Sequence, residues 1–174
     1  MSKLSVRDLT LAAVLAAVYA VLTVTLPIPQ FGPVQLRVAE ALTVLPFLFP
    51  AATPGLFVGC FIANLFSPYP LDVLCGSAAT LLACLATQRM PNRYLASLPP
   101  VLFNMVIVGA EIAWFETGFG PGFWSAYAFN AVTVGAGELA ACLILGQLLL
   151  SALPGVPALR SFIPEKRLNT LVRS

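Results

Sequence analysis

Residues 37–66 read RVAEALTVLPFLFPAATPGLFVGCFIANLF. Two apolar runs, 37–49 and 55–66, flank the turn PAATPG, whose prolines and glycine end one helix and begin the next. Neither run alternates with the two-residue period of a membrane barrel strand. The pair therefore reads as a compact hairpin of membrane helices, the first opening on Arg37 and Glu40 and interrupted by Pro46. Further apolar stretches predict spans at 9–26 before it and at 73–87, 98–115 and 123–153 after it, with a basic tail over 154–174. At about 20 residues per span, six helices take about 120 residues and leave about 54 for loops and termini. The 174 residues thus form one transmembrane domain, an all-α bundle with no separate soluble domain. Composition agrees. Hydrophobic residues make up 59% of the chain and charged residues only 9%, far below the roughly 25% of soluble proteins, so most of the surface meets lipid.

Nine Lys and Arg against seven Asp and Glu leave a net charge of +2, with no nucleic-acid surface. With six spans and the N-terminus inside, Lys3, Arg7, Arg89, Arg93, Arg160, Lys166, Arg167 and Arg173 all fall on the cytoplasmic side, and only Arg37 falls outside. Both termini are expected in the cytoplasm. The N-terminal apolar run continues to Leu26 and is read as a retained helix, not a cleaved signal. The absence of histidine removes imidazole metal sites and Ser-His or Cys-His nucleophiles. Cys60, Cys75, Cys84 and Cys142 lie in apolar runs without CxxC spacing and read as packing residues, so no metal is expected.

Charged groups in a bilayer cost roughly 2.5–3.5 kcal/mol each on insertion scales, which makes each one a candidate functional residue. Glu40, Glu111 and Glu138 qualify, accompanied by Asn64, Asn104 and Asn130. Asn104 and Glu111, seven apart, share a helix face; so do Tyr127, Asn130, Val134 and Glu138, at steps of three, four and four. The competing account is that these side chains simply hydrogen-bond helix to helix. Three glutamates with one outer basic residue favour a ligand site that opens outward. Ionised carboxylates only accept, so the ligand is expected to be rich in donors: an amine, or a guanine-type N–H and NH2 edge. Phe31, Tyr69, Trp114, Phe115, Trp124 and Tyr127 are available to stack on a planar ring, or to form an interfacial belt.

The first helix carries two rows of small residues, Ala12, Ala16 and Ala20, and Ala13 with Ala17. Spacing alone leaves open whether they meet another helix of this chain or a partner protein. No GxxxxGK[ST] phosphate loop is present, and no second half repeats the first, so uptake driven by this chain would need energy from elsewhere.

The runs RVAEALTVLPFLFPAATPGLFVGCFIANLFSPYPLDVLCGSAATLLACLAT (37–87), LPPVLFNMVIVGAEI (98–112) and VGAGELAACLILGQLLL (134–150) resemble the QueT family. Members of that family are S components, the substrate-binding subunits of energy-coupling factor (ECF) transporters for queuosine precursors. The resemblance implies a six-helix bundle in the bacterial plasma membrane with substrate bound on its outer side. It implies a 7-deazaguanine substrate, such as 7-aminomethyl-7-deazaguanine or queuine. It also implies partners: a transmembrane coupling protein and two ABC ATPases, which would use the ATP and Mg while this chain holds no cofactor and has no enzymatic activity. On this resemblance a pair among Glu40, Glu111 and Glu138 accepts from the base, Asp72 faces an aminomethyl cation, and Asn64, Asn104 or Gln35 reads the carbonyl and ring nitrogens. Asn130 lines the same polar face, and Arg37 either contributes to the site or balances Glu40. The loop PIPQFGPVQL (27–36) is a candidate lid. The alanine rows are the implied docking surface, with Ala13 and Ala17 preferred over Ala12 and Ala16. The alternatives are a stand-alone proton-coupled carrier of a small cationic or purine-like solute and, more remotely, a membrane enzyme that uses the carboxylates as acid and base.

Overall fold

The computed structural model describes residues 5–172 and, over them, is all-helical. Lys3 and Arg173 lie outside the described residues. Helix α1 spans Val6–Thr25 and starts at a reciprocal cap: Ser5 Oγ accepts from the Asp8 N–H while the Asp8 carboxylate accepts from the Ser5 N–H. A 3-10 helix follows at Val38–Phe47, then α2 (Ala52–Asn64), α3 (Cys75–Thr87), α4 (Leu98–Thr117) and α5 (Phe123–Leu139). The last long helix continues through a π-helical stretch, Ala140–Gly146, into α6 (Gln147–Ala152). Two short helices, α7 (Pro157–Arg160) and α8 (Glu165–Val172), complete the described chain.

Four segments are long and apolar enough to cross a membrane: Val6–Thr25, Pro70–Thr87, Leu95–Thr117 and Phe123–Gly155. Val38–Phe47 and Ala52–Asn64 are apolar but shorter, at 10 and 13 residues. The hairpin read from 37–66 is present, and its first arm corrects the expectation in kind. It is a 3-10 helix that stops at Phe47, not an α-helix reaching Phe49. Pro46 cannot donate to the preceding turn, and a 3-10 winding rises about 2.0 Å per residue against 1.5 Å for an α-helix, so ten residues reach about 20 Å.

The segments alternate between two ends of the bundle. At one end, Arg7 stacks on Phe162 at 4.2 Å and donates to Ser161, while Arg167 donates to the backbone carbonyls of Met90, at 2.8 Å, and Gln88. The α1 start, the 88–97 turn and the 153–172 tail therefore meet, and with them the basic residues. The tail is folded onto the bundle instead of trailing from it: Ile163 is buried in the main apolar core with Leu15, Phe47, Leu56 and Leu150. Arg37 lies at the opposite end, beyond α1.

Helix α1 packs on α2 through the row Ala12–Ala16. A Cβ at Gly55 would overlap the Ala12 carbonyl oxygen, and one at Gly59 would lie 2.6 Å from that of Ala16, so the backbones touch where only glycine fits. Ala12 and Ala16 are buried, Ala20 is half-buried, and Ala13 and Ala17 are exposed. Ala12 and Ala16 thus serve an internal contact with α2, and the row left facing outward is Ala13 with Ala17. Helix α4 lies against α5 with a similar close approach, a Cβ at Gly109 reaching 3.0 Å from the Ala131 Cα.

Candidate functional site

All nine polar residues singled out from the sequence, Gln35, Arg37, Glu40, Asn64, Asp72, Asn104, Glu111, Asn130 and Glu138, are buried. Buried polar groups on six segments require partners, and the partners divide the nine into a scaffold and a set of open acceptors.

Arg37 is the centre of the scaffold. Its Nε donates to the Gln30 carbonyl at 3.1 Å, Nη1 to Asn64 Oδ1 at 3.4 Å and Nη2 to Asp72 Oδ2 at 3.5 Å. Nη1 also lies 3.8 Å from Glu40 Oε1, and the guanidinium sits 4.9 Å above the Phe31 ring. Asn64 Nδ2 donates to the Asp72 carbonyl at 2.8 Å, with the Cys60 sulfur and Ser77 hydroxyl at 3.3 and 3.4 Å. Gly76 makes room for this turn, since a Cβ there would overlap Asp72 Oδ1. Arg37 and Asn64 are therefore committed within the protein. They hold the Pro70–Val73 turn and the 26–37 loop in place.

The open set lies around this scaffold at two depths. Nearer the Arg37 end, Gln35, Asp72 and Glu111 line a crevice with Gly32, Tyr69 and Val108 that is closed too tightly to hold even a water molecule. Deeper, Glu40 accepts from the Tyr19 hydroxyl and lies beside Glu138 and Asn104. The Cys142 thiol contacts both Glu138 Oε2 at 3.9 Å and the Glu40 carbonyl at 3.4 Å. Asn130 Nδ2 donates to Glu116 at 2.9 Å. The buried atoms left without a hydrogen-bond partner in this region are mostly acceptors: Gln30 Oε1, Gln35 Oε1, Glu40 Oε2, Asp72 Oδ1, both Glu111 oxygens and Asn130 Oδ1, against the donors Gln30 Nε2 and Asn104 Nδ2. Such a cluster binds a donor-rich group and repels an anion.

The crevice is closed over by the 26–37 loop. Gly32 takes φ 101°, a left-handed value open to glycine, and a Cβ there would stand 3.7 Å from the Tyr69 hydroxyl. The Thr133 hydroxyl donates to the Pro33 carbonyl, and a Cβ at Gly137 would overlap the Gln35 carbonyl oxygen, so the loop rests directly on α5. Of the aromatic candidates, Phe31 is taken by Arg37, Tyr69 meets Phe115 edge-on at 4.9 Å, and Phe123 and Tyr127 stack 6.1 Å apart at the α5 start. Trp124 is 74% exposed, as a belt residue would be.

Sequence reasoning missed Tyr19, Gln30 and Glu116. A lone tyrosine in an Ala, Val and Leu helix was the available signal for Tyr19. Glu116 lies at the exposed end of α4, where a charge needs no explanation until Asn130 is seen beside it.

The pattern that defines the QueT transporter family matches residues 9–154. A curated relative, the queuosine precursor transporter QueT of Lactococcus lactis subsp. cremoris (strain MG1363), is 35% identical over 83 residues, which cover 47% of this chain and 49% of the relative. The chain spans about half the length of the curated relative it matches. No solved structure matches it.

Proposed function

The chain belongs to the QueT transporter family, and from that premise we propose that it captures a queuosine precursor, a 7-deazaguanine base, as the S component of an ECF importer. The observation that carries this reading is the surplus of buried acceptors around the crevice, with Glu111 contributing two unpartnered oxygens. A 7-deazaguanine presents ring N–H groups and an exocyclic amine, and a cationic aminomethyl group adds further donors, so its edge complements that surplus. In this reading Glu111, Asp72 and Gln35 contact the base, Glu40, Asn104 and Glu138 line the deeper end, and Asn130 lies on the same polar face nearer the outer end, beside Glu116. Arg37 and Asn64 hold the frame. The 26–37 loop is the lid through which substrate enters from outside.

The same reading has six membrane segments in a bacterial plasma membrane, with both termini and the basic end of the bundle in the cytoplasm. The exposed row Ala13–Ala17 docks a transmembrane coupling protein, which joins two ABC ATPases that use ATP and Mg. Calorimetry on the purified chain in detergent, without ATPases, tests the capture step. Tight binding of 7-aminomethyl-7-deazaguanine or queuine with weak binding of guanine is the expected result. No binding of any of the three by folded protein overturns it.

A further inference from the structure

A second cavity lies at the basic end, outside the polar cluster and lid. Arg93, Ser151 and Arg160 converge on it, backed by Leu150, Pro154 and Leu168. It holds about 380 Å3 and opens outward. Arg93 is held in place from several sides. Its Nη1 donates to Ser151 at 3.3 Å, Nη2 donates to the Tyr94 hydroxyl at 2.8 Å, and the guanidinium lies 4.8 Å from the Tyr94 ring centre. Gln147 fixes the backbone beneath it, donating to the Arg93 carbonyl at 2.8 Å. The Arg93 Nε is buried and has no acceptor. Arg160 is exposed, and neither arginine has a carboxylate within ion-pair distance among the described residues.

Ser151 is already committed, donating to the Gln147 carbonyl at 2.8 Å, so the two uncompensated guanidinium groups, set against an apolar wall, form the site for a phosphate oxyanion with a greasy substituent. We infer that this cavity binds the phosphodiester headgroup of an anionic phospholipid, with the glycerol and first acyl carbons lying along Leu150, Pro154 and Leu168. The orientation proposed above puts the basic end at the cytoplasmic leaflet, whose anionic lipids attract such clusters. Free inorganic phosphate would satisfy the arginines but leave the apolar wall uncovered.

Native mass spectrometry of the full chain in detergent, titrated with phosphatidylglycerol or phosphatidylcholine, reads the site directly. Phosphatidylglycerol should be retained at one molecule per chain and phosphatidylcholine should not. R160Q, which removes no hydrogen bond within the protein, should weaken retention about fivefold, and R93Q/R160Q about 25-fold. K166Q removes a charge from the same end but outside the cavity and should change nothing. Equal retention of the two lipids, or an equal loss in K166Q and R160Q, overturns the site. Displacement of the lipid by millimolar inorganic phosphate overturns the lipid source and assigns the cavity to a soluble anion.

Discussion

Replacing Glu111 with glutamine separates binding from packing, because the two roles predict opposite signs. Glu111 is 6% exposed and neither carboxylate oxygen has a hydrogen-bond partner. In the protein without ligand this is a cost: a buried acceptor left unmade is worth about 1–3 kcal/mol against folding, more when charged. E111Q keeps the shape and removes the charge, so its thermal midpoint should rise, by about 2–4 °C per kcal/mol recovered. In the complex the carboxylate accepts charge-assisted bonds worth about 1.5–3 kcal/mol, and the glutamine amide would turn a donor towards the donors of the base. Affinity should therefore fall about 10- to 150-fold. Calorimetry with the tightest-binding 7-deazaguanine and thermal unfolding in the same detergent measure both. Unchanged affinity with a lower midpoint would make Glu111 a packing residue and refute the assignment; unchanged affinity with a higher midpoint would remove it from the binding site equally.

Three further outcomes follow from the packing. R37Q strips the counter-charge from Glu40 and Asp72, which are both buried, and should cost about 3–5 kcal/mol; loss of the monodisperse peak on size exclusion in detergent checks it. G59L drives a side chain into the Ala16 backbone and the Tyr19 Cβ, 2.6 and 2.9 Å from the new Cβ, and should destabilise by about 1–3 kcal/mol, read as a lower thermal midpoint. A17L, on the exposed row of the same helix, should leave the midpoint and base binding unchanged and abolish co-purification with the coupling protein; retained co-purification would remove Ala17 from the docking surface.

Much of the fold was legible because lipid imposes a simple code of length and polarity. The hairpin at 37–66, the long apolar helices and the shared faces of Asn104 with Glu111 and of Asn130 with Glu138 all follow from composition and spacing. What was not legible depended on contacts remote in sequence. Arg37 offered Glu40, three residues away, as a partner, but Asp72 and Asn64, 35 and 27 residues away, meet it only after folding. Which alanine row of α1 turns inward was decided by Gly55 and Gly59 on α2, not by α1 itself. The last helix keeps a buried row at every fourth residue, Asn130, Val134, Glu138, Cys142, Gly146 and Leu150, flanked by the buried Gly135 and Ala141. An α-helix drifts off such a row, and the wider π stretch at Ala140–Gly146 brings it back into line. The four-residue spacing was visible in the chain, but its structural cause was not.

The 3-10 segment also bears on how the protein enters the membrane. Nine of its ten residues, Ala39 through Phe47, are buried by the rest of the chain, so in the finished bundle it is almost wholly screened from lipid. Yet during synthesis it would be offered to the bilayer as ten residues carrying Glu40, with Arg37 just ahead, too short to span about 30 Å and burdened by charge. Such a segment has little tendency to partition alone. It has to be carried in as one arm of a hairpin with α2, against an α1 already in place. Arg37 must then wait, with only Glu40 as counter-charge, until the turn bearing Asp72 has been made. The same ion pairs that order the finished site thus set the order of its assembly.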